Sequence, residues 1–246
     1  GGTSTDVSRF DGSYEYRFEP QVGSARIYSP ALKIETVASG GGSICGYHAQ
    51  GLFVGPESGG AWPGPACYGT GGPLTITDVN VLLGRVDAAQ FSIPILVERS
   101  RNRVDELLKE IRSAGNQSLG QEELLTGFLD IANERMAETV RKISVREGFD
   151  PRDYTLVSFG GAGGQHACAV ADRLGCDAVL CPPEAGLLSA FGLRYAAIER
   201  FAERQILKLL AQFETFLNQK IDELSREALN LLKDEIGSET FDLTMD

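Results

Sequence analysis

The feature that most constrains this chain is the stretch VSFGGAGGQHACAVA, which runs from Val157 to Ala171. Four glycines fall within the five positions 160–164, after an apolar run and before a helix-forming one. A second apolar run, DAVLCP, follows the helix, and short apolar strands that flank a helix are typical of a buried parallel pair. The segment therefore predicts a strand, a glycine turn, a helix and a second strand, an arrangement of the α/β class.

The glycine turn predicts a binding site for an anionic ligand. A helix that starts after a strand presents unpaired N–H groups, and glycine lets a phosphate or sugar approach the backbone. The alternative is that the glycines only let the helix pack closely on the sheet. A Rossmann fingerprint is excluded, because His166 stands where a small residue is needed and the next strand ends in Leu180-Cys181-Pro182 without a carboxylate. A Walker loop is excluded because no Gly-Lys-Ser/Thr occurs.

The beginning of the sequence carries a second loop of similar chemistry. GGTSTDVS combines two glycines with hydroxyls and the carboxylate of Asp6. Hydroxyls and backbone amides at a tight turn can hold phosphate oxygens, and an aspartate can hold magnesium, usually through water. An ordinary polar hairpin with Asp6 capping a turn is the alternative. Together the two loops predict a nucleotide that lies between a phosphate turn and a strand–helix junction.

The composition narrows the classes of partner and of compartment. The net charge is −11 and no basic stripe occurs, which argues against nucleic acid because phosphate binding needs clustered Lys and Arg. No stretch of membrane-spanning length and no leader is expected. Five cysteines without a repeated spacing predict a cytoplasmic protein. His166 and Cys168 do not share a helix face, so buried apolar cysteines are favoured over a metal site.

The other elements follow from hydrophobic periodicity and turn signals. We predict strands at Tyr14–Pro20 and Leu32–Ala38 and a functional loop at Gly40–Gly72. A helix capped by Thr77 and a charged surface helix at Glu98–Arg112 should follow. A third helix starts with a capping box of Ser118 and Gln121 and is ended by Gly148, and the tail over Leu207–Ile236 is amphipathic helix.

These motifs resemble a known family. GGTSTDVS, TVASGGGS, VGPESGGAWPGPACYG, TGGPLTITDVN, FGGAGGQHA and GLLSAFGL are similar, in that order, to motifs of the hydantoinase A/oxoprolinase family, from Gly1 to about Arg204. The Gly164-Gln165 form is more like the 5-oxoprolinases than the N-methylhydantoinases and ketone carboxylases, whose loop tends to read FGGAGPxHA. Ser39 and Trp62 depart from the family's usual residues, and we expect neither to touch the two loops.

The resemblance implies an actin/hexokinase-like ATPase lobe of the ribonuclease-H type. Such a lobe has a mixed sheet with flanking helices, here with a long Gly/Pro-rich loop and a helical C-terminal tail. Residues 1–205 would form the second lobe, and 206–246 would lead to the rest of a longer polypeptide. The family's first phosphate loop is absent from this sequence. We therefore expect a missing N-terminal lobe and C-terminal part, or a partner subunit, to complete the enzyme, with a homo-oligomer as a further option.

The resemblance also implies a reaction. The expected activity is ATP-dependent hydrolysis of 5-oxo-L-proline to L-glutamate with Mg²⁺ and often K⁺, the isolated chain being inactive. The alternatives are an ATP-dependent N-methylhydantoinase, a ketone carboxylase subunit, or a nucleotide-binding lobe without turnover. In the implied site, the phosphates are bound by Gly1, Gly2, Thr3, Ser4 and Thr5. Asp6 and Thr5 are the catalytic groups, and Asp6 also holds magnesium. The ribose and adenine are bound by Gly160, Gly161, Ala162, Gly163 and Gly164, and His166 touches the nucleotide or locks the loop. Gly40, Gly41, Gly42 and Ser43 would line the cleft, while Glu57 and Ser58 would serve packing or a contact between the lobes.

Overall fold

The computed structural model describes residues 2–19, 21–27, 30–196, 198–207, 209 and 216–236. The chain divides into two compact units, Gly1–Ala190 and Phe191–Asp246. The boundary at residue 205 stays a prediction. The first unit contains both glycine-rich loops, and the second contains the whole of the predicted helical tail.

The β-structure of the first unit consists of short pairs. Antiparallel pairs join β1 (Thr5–Val7) to β6 (Glu35–Val37), β2 (Tyr16–Arg17) to β5 (Ala31–Leu32), β3 (Gln21–Val22) to β4 (Ala25–Arg26), and β7 (Ser43–His48) to β8 (Gly51–Ser58). A parallel pair joins β9 (Leu156–Val157) to β10 (Val179–Leu180). The α/β class is confirmed. The described strands form five two-stranded sheets instead of one mixed sheet, and the actin/hexokinase-like lobe stays a prediction.

The parallel pair forms where the sequence predicts it, but it is not buried on both faces. Val157 is 46% exposed and Leu180 is 54% exposed. Leu156, on the opposite face of β9, packs against the cluster under the following helix. Apolar runs identify strands but do not show which face is covered, so the prediction of a buried pair is corrected to a pair with one exposed face.

The segment 40–72, predicted as a loop, contains the longest hairpin of the described chain. In it β7 and β8 pair from Ser43↔Ser58 to His48↔Gly51, with an irregularity between Ser43 and Cys45. Gly46 leaves room for the ring of Phe53, because a Cβ there would lie 2.5 Å from that ring in its present position. Glycine and proline inside these strands hide the period-2 pattern.

Six helices are described. They are α1 (Ile76–Leu82), α2 (Val97–Ser113), α3 (Gln121–Ile143), α4 (Ala167–Leu174), α5 (Leu188–Tyr195) and α6 (Leu217–Ile236). The tail helix is confirmed over α6, while residues 208 and 210–215 of that prediction lie outside the described residues. No described helix has the length and apolarity that crossing a membrane requires.

Two predicted helix starts are corrected. The N-cap of α1 is Thr75, not Thr77, because the Asp78 carboxylate accepts a hydrogen bond from the Thr75 backbone N–H at 2.8 Å. The N-cap of α3 is Gly120, and the Ser118 hydroxyl donates instead to the Asn116 side chain at 3.3 Å. Both sequences contain several capping residues, and only the tertiary contacts select one.

The core explains how these elements hold the loops. Helices α1, α2 and α3 pack with the β7–β8 hairpin around Cys45, Val54, Leu74, Ile76, Val79, Val104, Leu108, Ile111, Leu124, Leu125, Phe128, Leu129 and Ala132. A second cluster of Met136, Ala137, Val170 and Leu174 joins α3 to α4. Because α3 belongs to both clusters, it is the common support of the hairpin side and of the helix that follows FGGAGG.

Candidate functional site

The first glycine-rich loop, residues 2–4, rests on a further glycine-rich segment, residues 40–42. Gly2 is exposed, as are Thr3 and Ser4, whereas Gly1 lies outside the described residues. The Gly42 N–H donates to the Gly2 carbonyl at 3.0 Å. A Cβ on Gly40 would lie 2.5 Å from that same carbonyl oxygen. Segment 40–42 is therefore the base on which the loop 2–4 lies, and only glycine permits the approach.

Thr5 and Asp6 lie on opposite faces of β1, because successive side chains in a strand alternate. The Thr5 hydroxyl donates to the Ser39 carbonyl at 2.7 Å. Ser39 is fully buried, and its hydroxyl donates to the Ala132 carbonyl of α3 at 3.4 Å. The expectation that Ser39 does not touch the loops is wrong. The catalytic assignment of Thr5 stays a prediction, since its hydroxyl proton is engaged here.

Asp6 is the exposed carboxylate of the first loop. The Thr36 hydroxyl donates to its Oδ1 at 2.6 Å, which orients the group and leaves Oδ2 available to a cation. Among the described residues no three His, Cys, Asp or Glu side chains form a metal cluster. The donor set fits magnesium held by one carboxylate, water and phosphate oxygens, which is usual for Mg²⁺ with nucleotides.

Ser58 belongs to the first loop, although the sequence suggests a packing role. Its hydroxyl donates to Thr3 Oγ1 at 3.3 Å and accepts from the Gly60 N–H at 3.1 Å. A Cβ on Gly42 would lie 2.7 Å from the Ser58 hydroxyl oxygen. The register Ser43↔Ser58 brings the end of β8 beside the loop. Recognising the hairpin is thus the signal that could have found Ser58.

The second loop contains glycines of two kinds. Gly160 has φ +85, and its N–H donates to the Ala185 carbonyl at 2.7 Å; a Cβ on Gly163 would lie 2.8 Å from the Ser158 hydroxyl. By contrast, a Cβ on Gly161 or Gly164 would meet nothing within 4 Å. The positive φ therefore accounts for Gly160 and close packing for Gly163. Neither reason applies to Gly161 and Gly164, which lie beside open space, as the binding interpretation requires.

His166 anchors the second loop to α3. It is the N-cap residue of α4 and is 4% exposed. Its Nδ1 lies 2.8 Å from Asn133 Oδ1, which assigns the proton of the neutral ring to Nδ1. Burial, with a smaller contribution from the charge of Arg85, lowers the pKa of His166 to about 4. The neutral ring at physiological pH supports the locking role, and the direct nucleotide contact stays a prediction.

One face of helix α1 contacts the segment beneath the first loop and the end of the second loop. Thr77 donates to the Gly41 carbonyl through its N–H at 2.8 Å and its hydroxyl at 2.9 Å. Asn80 Nδ2 donates to Gln165 Oε1 at 2.9 Å. Positions three apart on a helix are neighbours, with Cβ atoms about 5–6 Å apart. The structure therefore brings the two predicted loops together across one turn of α1.

Asp78 fixes the Gly/Pro-rich segment to the same helix. This fully buried carboxylate accepts hydrogen bonds from the backbone N–H groups of Ala66, Cys67 and Thr75 and from the hydroxyls of Thr75 and Ser100, at 2.7–3.1 Å. Burial, together with the nearby charge of Asp78, raises the pKa of Cys67 to about 12. Cys67 is thus a protonated packing group, as the sequence interpretation expects. The expectation of buried cysteines is wrong for Cys168 and Cys181, which are exposed.

Acidification is expected to destabilise the fold through His166. Its pKa is about 4 instead of 6.5, so between these pH values the unfolded chain binds a proton that the folded chain excludes. The stabilisation is complete above pH 6.5 and falls by roughly 3 kcal/mol as the pH drops to about 4, at about 1.4 kcal/mol per pKa unit. Unfolding midpoints measured against pH for the wild type and His166→Gln test this.

The chain supplies a matched control for that measurement. His48 is exposed in the hairpin, and His48→Gln should leave the pH dependence unchanged. Equal pH dependence in wild type and His166→Gln would contradict the burial argument. All five cysteines are free, so none of the cysteines adds a disulfide-dependent transition to the comparison.

Comparison with known structures finds two proteins whose folds are similar to this α/β arrangement. The fold is similar to a crystal structure of the ATP-dependent caprolactamase from Pseudomonas jessenii, with a TM-score of 0.76 and 32% identity over 98% of this chain and 36% of that one. It is also similar to nucleotide-free acetone carboxylase, with a TM-score of 0.72 and 22% identity over 95% of this chain and 34% of that one. The second likeness concerns the fold alone.

The sequence comparisons then show the family. The Hydantoinase/oxoprolinase family model matches residues 1–202, and the chain belongs to that family. It is 44% identical to the 5-oxoprolinase PfmaA of Pestalotiopsis fici and 44% identical to the 5-oxoprolinase of Saccharomyces cerevisiae, over 97% of this chain in each case. It spans 19% and 20% of the length of those two relatives.

Proposed function

We propose that this chain is the nucleotide-binding lobe of an ATP-dependent hydrolase that opens the lactam of 5-oxo-L-proline to give L-glutamate. The observation that carries the proposal is that one turn of α1 bonds both Gly41, beneath the first loop, and Gln165 of the second, with open space at Gly161 and Gly164. The names of the fungal relatives support the substrate.

The first loop would bind the phosphates. Thr3 and Ser4 are exposed residues, and their N–H groups and hydroxyls would donate to phosphate oxygens. Asp6 would hold magnesium through water, and the bound ion supplies neutralisation of phosphate charge. Ser58 fixes the Thr3 hydroxyl and thereby the shape of the loop.

The second loop would receive the ribose and adenine. Gly161 and Gly164 leave the backbone accessible, and His166 and Gln165 fasten the turn to α3 and α1. A rigid loop of this kind lowers the entropy that nucleotide binding costs. The binding residues thus act by placing the γ-phosphate and not by covalent chemistry.

Phosphate transfer explains why ATP is needed for this hydrolysis. A five-membered lactam is a stable amide, and phosphorylation of its oxygen makes the carbonyl carbon a better electrophile for water. Catalysis of phosphoryl transfer consists mainly of positioning and charge stabilisation. The residues described above suit that task, and no nucleophilic side chain is required of this chain.

The rest of the enzyme would lie in other segments of a longer polypeptide or in a partner subunit. The first phosphate loop and the lactam site are assigned to those parts, because this chain spans about a fifth of the 5-oxoprolinases. Potassium dependence, a cytoplasmic location and inactivity of the isolated chain belong to the same proposal.

A second candidate function is ATP-dependent hydrolysis of a larger lactam. The caprolactamase subunit alpha of Pseudomonas jessenii is 34% identical over 96% of this chain and 34% of that subunit. Its identity is lower than that of the two fungal 5-oxoprolinases, which favours 5-oxoproline. The experiment below also discriminates N-methylhydantoinase activity, ketone carboxylase activity and nucleotide binding without turnover from the proposed reaction.

Phosphate release from Mg-ATP by the full-length protein is expected to rise at least about tenfold on addition of 5-oxoproline, because a bound substrate completes the phosphoryl-transfer geometry. The measurement compares 5-oxoproline with caprolactam, N-methylhydantoin and acetone at matched potassium concentration. Stimulation by another compound only would reassign the substrate within the family, and ATP turnover indifferent to all four would contradict the proposal.

A further inference from the structure

The contact between Asn80 and Gln165 joins α1 directly to the glycine turn. Asn80 is fully buried, and its Nδ2 donates to Gln165 Oε1 at 2.9 Å across 85 residues of sequence. Gln165 ends the 3₁₀ turn Gly163–Gln165, immediately before His166. A side-chain hydrogen bond at this point restrains the part of the loop that lies beside Gly164.

Two buried polar atoms at this contact and in the neighbouring residue lack a hydrogen-bond partner among the described residues. They are Asn80 Oδ1 and His166 Nε2. With Nδ1 protonated toward Asn133, His166 Nε2 is an acceptor, so both orphan atoms accept. Buried polar atoms without partners cost stability.

The position of Asn80 on α1 relates the contact to the other loop. Thr77, three residues earlier, donates two hydrogen bonds to the Gly41 carbonyl, one from its N–H and one from its hydroxyl. Gly41 belongs to the base beneath Gly2. One helical turn therefore separates the residue that contacts the base of the phosphate loop from the residue that contacts Gln165. The helix fixes this distance, which a flexible loop would not do.

We propose that Asn80 and Gln165 are positioning residues that set the distance between the two nucleotide loops. The inference rests on the proposed function and extends it to two residues that need not touch the lactam. Loss of the contact makes the glycine turn less ordered in the free protein. Nucleotide binding must then order the turn, and this entropic cost weakens the affinity for ATP. The affinity for 5-oxoproline does not depend on this contact.

The test uses Gln165→Met in the full-length protein, because methionine keeps the side-chain length and removes the hydrogen bond. The loss of one neutral hydrogen bond predicts a rise of up to about tenfold in the Kd of a fluorescent ATP analogue and in KM for ATP, with KM for 5-oxoproline unchanged. Gln165→Glu still presents an acceptor to Asn80 Nδ2 and should restore most of the affinity. Gln50→Met makes the same change at an exposed hairpin position and should have no effect.

A double-mutant cycle separates positioning from simple destabilisation. Asn80→Leu combined with Gln165→Met should weaken ATP binding no more than the larger single change, because both remove one shared contact. Wild-type ATP affinity in Gln165→Met overturns the inference while leaving the proposed function intact. A matched loss of melting temperature without rescue by Gln165→Glu overturns it as well. A wild-type protein that binds no ATP overturns both the inference and the proposed function.

Discussion

Asp6→Ala is expected to reduce 5-oxoproline-stimulated phosphate release by the full-length protein by about 10²- to 10³-fold, the usual cost of removing a group that stabilises transferring charge. The carboxylate is exposed and is oriented by the Thr36 hydroxyl at 2.6 Å. Nothing in the described core depends on it, so the melting temperature should stay close to that of the wild type. Steady-state kinetics and a thermal melt on the same preparation measure both quantities.

Two further variants make the Asp6 result specific. Asp105→Ala removes an exposed carboxylate from α2 and should leave phosphate release unchanged. Thr36→Val removes the hydroxyl that orients Asp6 and should cause a smaller loss than Asp6→Ala. Full stimulated activity in Asp6→Ala would remove this residue from the magnesium and phosphate site and would leave the fold assignment untouched.

Asp78→Ala is expected to cost about 3–5 kcal/mol of folding stability, because buried hydrogen-bond donors would lose a charged acceptor. The fully buried carboxylate is the shared acceptor for loop residues 66 and 67, for Thr75 and for Ser100. Water cannot replace it without opening the packing between α1, α2 and the loop. Chemical denaturation of the full-length protein, followed by a probe in this lobe, measures the loss.

The same exposed aspartate is the control for this prediction. Asp105→Ala should change the unfolding midpoint little, and Asp78→Asn should fall between wild type and Asp78→Ala because one acceptor oxygen remains. An Asp78→Ala protein with a wild-type midpoint would show that the loop 66–67 contributes nothing to stability. That result would also weaken the view of α1 as a rigid spacer between the loops.

Several elements could be predicted because their signals are local. The strand–glycine–helix–strand unit appears as β9, α4 and β10 in the predicted order, since an apolar run, a glycine cluster and a C-terminal Gly175 are contiguous in the sequence. The charged helix predicted at Glu98–Arg112 is α2, one residue longer at each end. Helical periodicity depends on neighbours three and four residues away, which is why it can be read without a partner.

The contacts that build the site could not be predicted in this way. Thr3 meets Ser58 across 55 residues, Ser39 meets α3 across 93, and Asn133 meets His166 across 33. Each pairing depends on how the hairpin and helices pack, and no local pattern encodes it. The prediction of a loop over residues 40–72 is wrong for residues 43–58, because glycines that accommodate Phe53 and a neighbouring backbone also conceal the strands.

The sequence by itself determined the α/β class, the existence of two glycine-rich loops and the family resemblance, because these reside in contiguous motifs and in hydrophobic periodicity. The tertiary structure alone decided that one turn of α1 contacts Gly41, beneath the first loop, and Gln165 of the second. It also decided that Ser39 and Ser58 support the first loop and that His166 is buried against Asn133. The physical reason is that hydrogen bonds between distant segments form only after the hydrophobic core has fixed the relative positions of the helices that carry them.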